Sequence, residues 1–167
     1  MKTAKKGFTL IELIVVIAII GVLAAILVPT MLGYVKKAKL SSANTIASSI
    51  YKSINIAFVE LSEEDKNLSD GEISFDCSAS TYAATDWSGV DSGIQSAFKT
   101  KMENYFADIK KVKKIKAKIQ GGTCVAVAAT VDGTYIGTAP SGVVTTINYD
   151  YIGFSNAFSG AVSKAGS

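Results

Sequence analysis

The sequence predicts an α+β fold in which one long N-terminal helix packs on an antiparallel sheet of three or four strands. Two hydrophobic patterns support this prediction. The chain begins with a long apolar run and continues, as far as Leu61, with apolar residues every three or four positions, which is typical of a helix. After Lys114 the repeat changes to two, which is typical of half-buried strands. The second half of the helix would then cover the apolar face of the sheet.

The apolar run from Phe8 to Val35 contains 28 residues and one charged side chain, Glu12. About 20 apolar residues in a helix cross the hydrocarbon core of a bilayer, so this segment can form a single membrane span. A secretory signal cut near Ala24 and Ala25 is the alternative. Its apolar stretch is usually only about 7 to 15 residues long, whereas this run is longer and leads into an amphipathic helix.

Glu12 is the unusual residue of this run. A carboxylate deep in a membrane costs roughly 2.5 to 3.5 kcal/mol on insertion scales, so such a residue generally has a function and a partner. The alternative is that Glu12 lies shallow enough to reach the headgroups. Because the span contains no lysine, we expect the partner of Glu12 to come from another molecule.

The helix is predicted to continue past Pro29 to about Leu61 as an amphipathic segment, 36–61. Its apolar stripe consists of Ala43, Ile46, Ala47, Ile50, Ile54, Ala57, Phe58 and Leu61. Gly21 and Pro29 interrupt an otherwise strong helical pattern, since glycine lowers helix propensity and proline removes a backbone donor. We expect one bend there, although membrane helices commonly tolerate both residues.

The remaining chain divides into three predicted regions. Residues 62–111 form a polar, acidic connection with a short helix near 93–109, and residues 112–154 form the sheet. Gly121 and Gly122 give a tight hairpin turn, a second turn follows at Asp132 and Gly133, and the alternation from Val143 to Tyr151 predicts a last strand. Residues 155–167 are predicted to be a C-terminal tail.

Composition argues against an enzyme. The chain has no His, and all 17 basic residues are Lys, so the side chains best suited to proton transfer near pH 7 and to bidentate phosphate binding are missing. No nucleophile motif or phosphate-binding loop is present, and neither a cofactor nor a metal is expected. The net charge of +3 comes from three lysines in the first seven residues, so nucleic acid is not expected as a primary partner.

The N-terminal motif carries a resemblance to a known family. Lys5, Lys6, Gly7, Phe8, Thr9, Leu10, Ile11, Glu12 and Leu13 precede an unbroken apolar stretch. This string resembles the processing motif of type IV prepilins and of their relatives, the pseudopilins, and the likeness covers roughly the first 35 residues. The resemblance implies a pilin-like fold, an N-terminus in the cytoplasm and a head outside.

The resemblance also implies a life cycle. A prepilin peptidase would remove the leader, residues 1–7, by cutting between Gly7 and Phe8, and would methylate the new Phe8 amine. Phe8 and Glu12 would then pair between identical subunits of a helical filament, and the stretch from Gly21 to Pro29 would unwind on assembly. A membrane platform and an ATPase would drive this step.

The implied product is an extracellular type IV pilus on a bacterial cell surface, acting in adhesion, twitching motility or DNA uptake. Before assembly, the subunit would be a single-pass membrane protein. A pseudopilin of a type II secretion or competence system is the alternative, because both classes share the same N-terminal chemistry.

Cys77 and Cys124 lie far apart and lack the spacing of a redox or zinc site. In an oxidising exterior we expect a disulfide between them, worth roughly 4 kcal/mol by loop entropy, and the alternative is two buried free thiols.

Charged and turn-rich segments suggest weaker sites. A lysine cluster spans 110–118 and an acidic segment spans 60–91, and such patches can meet between subunits, although solvated strand lysines also protect a sheet edge. The run from Asp65 to Gly71 lacks the glycine and glutamate positions of a calcium loop. Asn67 begins a glycosylation sequon, a pattern that is common by chance.

Overall fold

The computed structural model describes residues 7–64, 69–76, 83–86, 88 and 90–166. Nine elements follow one another in this part of the chain: α1 Leu10–Glu63, β1 Gly71–Asp76, β2 Ala83–Asp86, α2 Gln95–Tyr105, a 3-10 helix Ala107–Lys111, β3 Lys114–Gln120, β4 Thr123–Thr130, β5 Ile136–Ala139 and α3 Phe154–Ala165. The predicted α+β class is confirmed. The chain divides into two compact units, Met1–Lys37 and Ala38–Ser167.

The first unit contains the apolar part of α1. All large apolar side chains from Phe8 to Val35 are exposed. The helix assignment runs without a break through Gly21 and Pro29. The Thr30 hydroxyl donates to the Leu27 carbonyl at 2.8 Å, next to the position where Pro29 lacks an N–H.

In the second unit, α1 contributes one buried stripe. The predicted stripe residues are all buried except Ile46, which is half-buried, and Leu40 and Ser53 join them. A stripe of this kind forms because residues three and four apart share one side of a helix. The prediction of an amphipathic second half is therefore confirmed.

The sheet has five antiparallel strands in the order β2-β1-β3-β4-β5. Gly121 and Gly122 form the β3–β4 turn with positive φ angles of 57° and 72°, which glycine adopts without a steric penalty. Gly133 also has a positive φ, and the Asp132 carboxylate accepts the backbone N–H groups of Thr134 and Tyr135. Both predicted turns are present.

The two faces of the sheet have separate cores. One cluster contains Ile73, Phe75, Ile115, Ala117, Ile119 and Val127 together with the apolar stripe of α1 from Ala47 to Leu61 and the α2 residues Phe98 and Met102. The second cluster contains Ala128 and Ile136 together with Leu40 of α1 and with Ala157 and Phe158 of α3. The helix and the sheet are thus joined by burial of apolar surface on one face, while α3 covers part of the other.

Three local predictions were wrong. The connection 62–91 was expected to have no strands, but it contains β1 and β2. Residues 143–151, predicted as a last strand, form bends and hydrogen-bonded turns. The expected tail 155–167 includes most of α3, whose buried residues Ala157, Phe158 and Ala161 repeat at helical spacing. The helix predicted near 93–109 is α2, with the shorter bounds Gln95–Tyr105.

Two asparagines on α1 hydrogen-bond to strand backbone. Asn55 Oδ1 accepts the Cys124 N–H at 2.9 Å, and its Nδ2 donates to the Cys124 carbonyl at 3.3 Å. Asn44 Oδ1 accepts the N–H of Thr138 on β5 at 3.0 Å. These side chains satisfy backbone groups of β4 and β5 that would otherwise be orphaned near the helix.

Candidate functional site

The chain enters α1 through three exposed residues, Gly7, Phe8 and Thr9, that lie outside the helix. The side chain of Phe8 is 79% exposed, and a Cβ added at Gly7 would meet no atom within 4 Å. The peptide bond between Gly7 and Phe8 is therefore free of helical hydrogen bonding and sterically open. Exposed non-helical backbone of this kind is where proteases most readily cut a folded chain.

Thr9 and Glu12 form a capping box at the start of α1. The Glu12 N–H donates to Thr9 Oγ1 at 3.3 Å, while Glu12 Oε2 accepts the Thr9 N–H at 2.8 Å and the Thr9 hydroxyl at 2.6 Å. This reciprocal pattern satisfies N–H groups that have no partner within the helix. Glu12 therefore stabilises the helix end on which it lies.

The capping box adds a partner that the sequence did not indicate. The expected partner of Glu12 on another molecule stays a prediction, and Thr9 of the same chain already binds Oε2. The signal was available as Thr-x-x-Glu before an apolar run, and it was missed. Glu12 Oε1 has no hydrogen-bond partner among residues 7–64 and the other described segments, so one carboxylate oxygen is still open to an external donor.

The surface around Glu12 is apolar. Phe8, Ile11, Glu12, Val15 and Val16 line a shallow open hollow. By length and composition, α1 is the one helix in the described part of the chain that is able to cross a membrane. An isolated chain in water would expose this whole surface, and extended apolar surfaces of that size normally mark a contact with membrane or protein.

The predicted disulfide cannot be followed through the structure, because Cys77 lies outside the described residues. Cys124 is described as a free thiol and is buried at the start of β4. Burial raises the pKa of the Cys124 thiol to about 12, since the interior disfavours the thiolate. The pairing of Cys77 with Cys124 stays a prediction.

The acidic and basic segments are partly paired within the chain. In the sheet, β1 and β3 are neighbours, and Lys116 Nζ lies 2.7 Å from Glu72 Oε2. Lys114 Nζ lies 3.9 Å from Asp76 Oδ2, and Lys111 pairs with Asp108 at 2.7 Å. Exposed pairs of this type contribute at most about 1 kcal/mol each.

Another charged cluster joins α2 to the end of α1. Lys101 Nζ lies 2.9 Å from Glu60 Oε2 and 3.0 Å from Glu64 Oε1, and Tyr105 donates to Glu60. The hydrogen bonds to Glu60 and Glu64 raise the pKa of the Lys101 ammonium. A permanently protonated lysine that bridges two carboxylates holds elements together and has no acid–base role near neutral pH.

The remaining sequence candidates have no structural support. Among the described residues, no group of three acidic, His or Cys side chains is arranged to hold a metal. The residues 65–68, which include the start of the calcium-like run and Asn67 of the sequon, lie outside the described residues. Glu60 and Glu64 of α1 and Glu72 and Asp76 of β1 are engaged in ion pairs.

Comparison with known proteins finds a similarity at the N-terminus of the chain. Residues 2–28 match the model described as "Prokaryotic N-terminal methylation motif". The chain is 54% identical over 52 residues to a fimbrial protein of Moraxella nonliquefaciens, covering 31% of this chain and 34% of the relative. It is 35% identical over 98 residues to the type IV major fimbrial protein FimA of Dichelobacter nodosus, covering 54% of this chain and 62% of the relative.

A third relative is similar over a shorter stretch. The type IV major pilin protein PilE1 of Neisseria gonorrhoeae is 51% identical over 47 residues, which is 28% of each chain. The chain thus spans less than two thirds of the length of each of these relatives. No solved structure matches it.

Proposed function

We propose, on the premise that the N-terminal helix of this chain belongs to the type IV pilin family, that the protein is the structural subunit of an extracellular type IV pilus filament. The observation that carries the proposal is the exposed apolar surface from Phe8 to Val35 with Glu12 near its start. Together with the methylation motif, this surface fits a membrane-anchored precursor that forms extracellular pili.

The first step of the proposed pathway is processing. A prepilin peptidase hydrolyses the peptide bond between Gly7 and Phe8, which releases the leader and leaves a free amine on Phe8, and a methyl group is then transferred to that amine. The exposure of Gly7 and Phe8 supports this step, because a bond inside α1 would have to be unwound first. The amine remains cationic after methylation.

The second step is the alignment of neighbouring subunits in the filament. The Phe8 amine of one subunit would approach the open Oε1 of Glu12 on a neighbour, while Thr9 keeps its bonds to Oε2. At about 4 Å and an effective dielectric near 20, such a pair attracts by roughly 4 kcal/mol before desolvation. The capping box supports this role because it fixes the carboxylate in one orientation before the neighbour arrives.

The membrane stage precedes assembly. A surface that is apolar on all sides is stable in lipid, and the same surface can later be buried against copies of itself. A membrane platform and an ATPase would extract the subunit, as in the assembly pathway that the resemblance implies. Adhesion, twitching motility and DNA uptake are roles that such a filament would serve.

The decisive experiment for this function is electron microscopy of cells that lack the protein. A pilus subunit predicts the loss of long surface filaments and their return when the intact gene is restored. Cells that keep their filaments but fail in secretion or DNA uptake would instead identify a pseudopilin and contradict the proposal.

The role of Glu12 can be separated from its capping role with three variants. Glu12→Gln keeps a capping box, because glutamine also serves at this position, but removes the charge. Glu12→Ala removes both. Thr9→Ala keeps the charge and weakens the cap by about 1 kcal/mol. We expect all three chains to be processed, as judged by the mass of the N-terminal peptide, while filament yield falls at least about tenfold in both Glu12 variants.

Thr9→Ala is the matched control and should assemble at a yield close to that of the unaltered chain. Normal piliation in Glu12→Gln would remove the ion pair from the mechanism. Equal losses in Thr9→Ala and Glu12→Gln would show that the helix cap, and not the charge, is what assembly requires.

A further inference from the structure

The segment after β5 holds a small, firmly built turn. Asn148 Oδ1 accepts the Thr145 N–H at 2.7 Å, and its Nδ2 donates to the Val143 carbonyl at 3.1 Å. The Tyr149 N–H bonds to the Thr145 carbonyl, and the Ile152 N–H bonds to the Asn148 carbonyl. These are bonds between residues four apart, as in a helix. The turn therefore has a fixed backbone.

This turn displays two large apolar side chains to solvent. Ile147 is 80% exposed and Tyr151 is 72% exposed, the highest values among the large apolar residues that are described in the second unit. Their spacing of four, across bonds of helical type, brings them to one side of the turn. A fixed backbone that presents an aliphatic and an aromatic residue together is a small contact surface.

The opposite side of the turn is tied to the start of the second unit. The rings of Tyr149 and Tyr135 stack with their centroids 5.0 Å apart, and Lys39 Nζ lies 5.3 Å from the centroid of Tyr135. Lys39 is four residues beyond Val35, the end of the apolar run. Four residues of chain extend at most about 14 Å. Lys39, which the turn contacts through the two stacked rings, is thus at most about 14 Å of chain away from the end of the apolar run.

We propose that Ile147 and Tyr151 rest in the phospholipid headgroup layer beside the span while the subunit is anchored in the membrane. Tyrosine is enriched at this depth because its ring is apolar and its hydroxyl is polar, and lysines that flank a span occupy the same layer. The proposal rests on the membrane stage of the proposed function. It adds a second point of contact between the membrane and the head, which is the second unit, Ala38–Ser167.

The charges nearby define the kind of contact. Lys36, Lys37 and Lys39 follow the span, but the exposed Asp150 lies between Tyr149 and Tyr151 and opposes attraction to anionic lipid. The contact is therefore an apolar and aromatic one. Salt should change it little, in contrast to a polybasic patch, whose binding falls with ionic strength.

Single tryptophans in the full-length precursor, reconstituted in phospholipid vesicles, test the proposal. The sequence has one tryptophan, so Trp87→Phe gives a background without any. Ile147→Trp and Tyr151→Trp probe the turn, Ile17→Trp probes the span, and Val59→Trp is a matched control at a site that is 58% exposed on α1. The measurement is fluorescence quenching by lipids brominated near the top of their acyl chains.

We expect quenching at positions 147 and 151 to exceed that at position 59 at least about twofold, as for side chains in the interfacial layer. Adding Ile147→Asp to the Tyr151→Trp reporter should lower its quenching. The thermal unfolding of the head should stay unchanged, because residue 147 is exposed.

Three other outcomes would contradict the proposal. Strong quenching at position 17 with equal, weak values at 147, 151 and 59 overturns the proposal and leaves the membrane stage intact. Weak quenching at position 17 as well contradicts the membrane stage, and the proposal falls with it. A third outcome is that tryptophans at 147 and 151 are protected from quenching by iodide in the water phase and are also not quenched by brominated lipid. A second copy of the chain would then cover these residues, and the proposal would be overturned.

Discussion

The two halves of α1 belong to one helix but meet different surroundings. From Leu10 to Lys37 the large apolar side chains are exposed on all sides, whereas from Ala38 to Glu63 most apolar residues form one buried stripe, and Ile56 and Val59 are exposed. The sequence explains the contrast. In the first half, isoleucine, leucine and valine occur on all sides of the helix, whereas in the second half the apolar residues recur every three or four positions and so lie mainly on one side.

The contrast shows two ways to stabilise the same secondary structure. The second half gains its stability from packing within one chain, and its apolar surface is removed from water by folding alone. The first half can remove its surface from water only in lipid or against other chains. Substitutions in the second half should therefore change folding of the head, and those in the first half should change insertion and assembly.

At neutral pH, the largest predicted effect uses a pair of glycines, one in each unit. A Cβ added at Gly137 on β5 would lie 1.8 Å from the Ala43 carbonyl oxygen, which is backbone and cannot move aside easily. Gly137→Ala should destabilise the head by about 3 kcal/mol or more, as overpacking does at its upper range. Thermal unfolding of the full chain in detergent, followed by near-ultraviolet circular dichroism, measures the change.

Gly21→Ala is the control for that experiment. A Cβ at Gly21 would meet no atom within 4 Å, and alanine favours a helix over glycine by about 1 kcal/mol. The head should melt as before in this variant, and membrane insertion should be preserved in both. A head that melts normally in Gly137→Ala would contradict the close approach of β5 to α1.

The second prediction concerns pH and the buried thiol of Cys124. Its pKa is raised from 9.0 to about 12, so the folded head keeps a proton that the unfolded chain loses. Stability from this group is complete below pH 9 and is lost as pH rises towards 12, by up to about 4 kcal/mol. In reducing buffer, the melting temperature should fall more steeply above pH 9 in the unaltered chain than in Cys124→Ala.

Parallel curves for the unaltered chain and Cys124→Ala would mean that the thiol is not protonated in the folded head. The same comparison without reductant tests the predicted disulfide. A bridge to Cys77 removes the titrating thiol, so the steeper fall should then disappear and return on reduction.

The smallest predicted effect comes from one hydroxyl. Thr138 on β5 is fully buried, and its Oγ1 has no hydrogen-bond partner among the residues that the structure describes. A buried unsatisfied polar group is costly, and valine has nearly the same shape without the hydroxyl. Thr138→Val should raise the stability of the head by about 1 kcal/mol. Chemical denaturation would show this as a higher midpoint, and a lower midpoint would reveal a partner for the hydroxyl.

The parts of the fold that the sequence predicted well have strong, long-range patterns. The helix α1 has a run of apolar residues followed by a helical stripe, and the hairpin β3–β4 has Gly121 and Gly122 between two alternating segments. In both cases the local preference and the burial agree with each other. Such consistency is what makes a pattern reliable.

The missed elements have weaker or misleading patterns. In β1, Ile73 and Phe75 alternate with polar residues, but the acidic and serine-rich surroundings suggested a loop. From Val143 to Tyr151 the residues alternate as in a strand, yet the Asn148 side chain bonds to the backbone of Val143 and of Thr145 and stabilises turns. Short-range side-chain bonds of this kind are invisible to a search for periodicity.

The site was predicted in part. The sequence singled out Gly7, Phe8 and Glu12, and the structure places them together at the start of α1, where their roles in processing and assembly stay predictions. The sequence pattern did not identify Thr9 as a partner of Glu12, because a carboxylate in an apolar run was interpreted only as a charge that needs a counter-charge. As a helix cap, Glu12 also has a local function that any helix start requires.

The asparagines of α1 have a mechanical consequence. Asn44 and Asn55 are eleven residues apart, close to three helical turns, so both lie on the same side of the helix. An apolar contact can slide under shear with little loss, but a hydrogen bond of fixed geometry breaks when its partners shift by about 1 Å. Tension along α1 would load these two amides first, so they resist slippage of the head along its own helix.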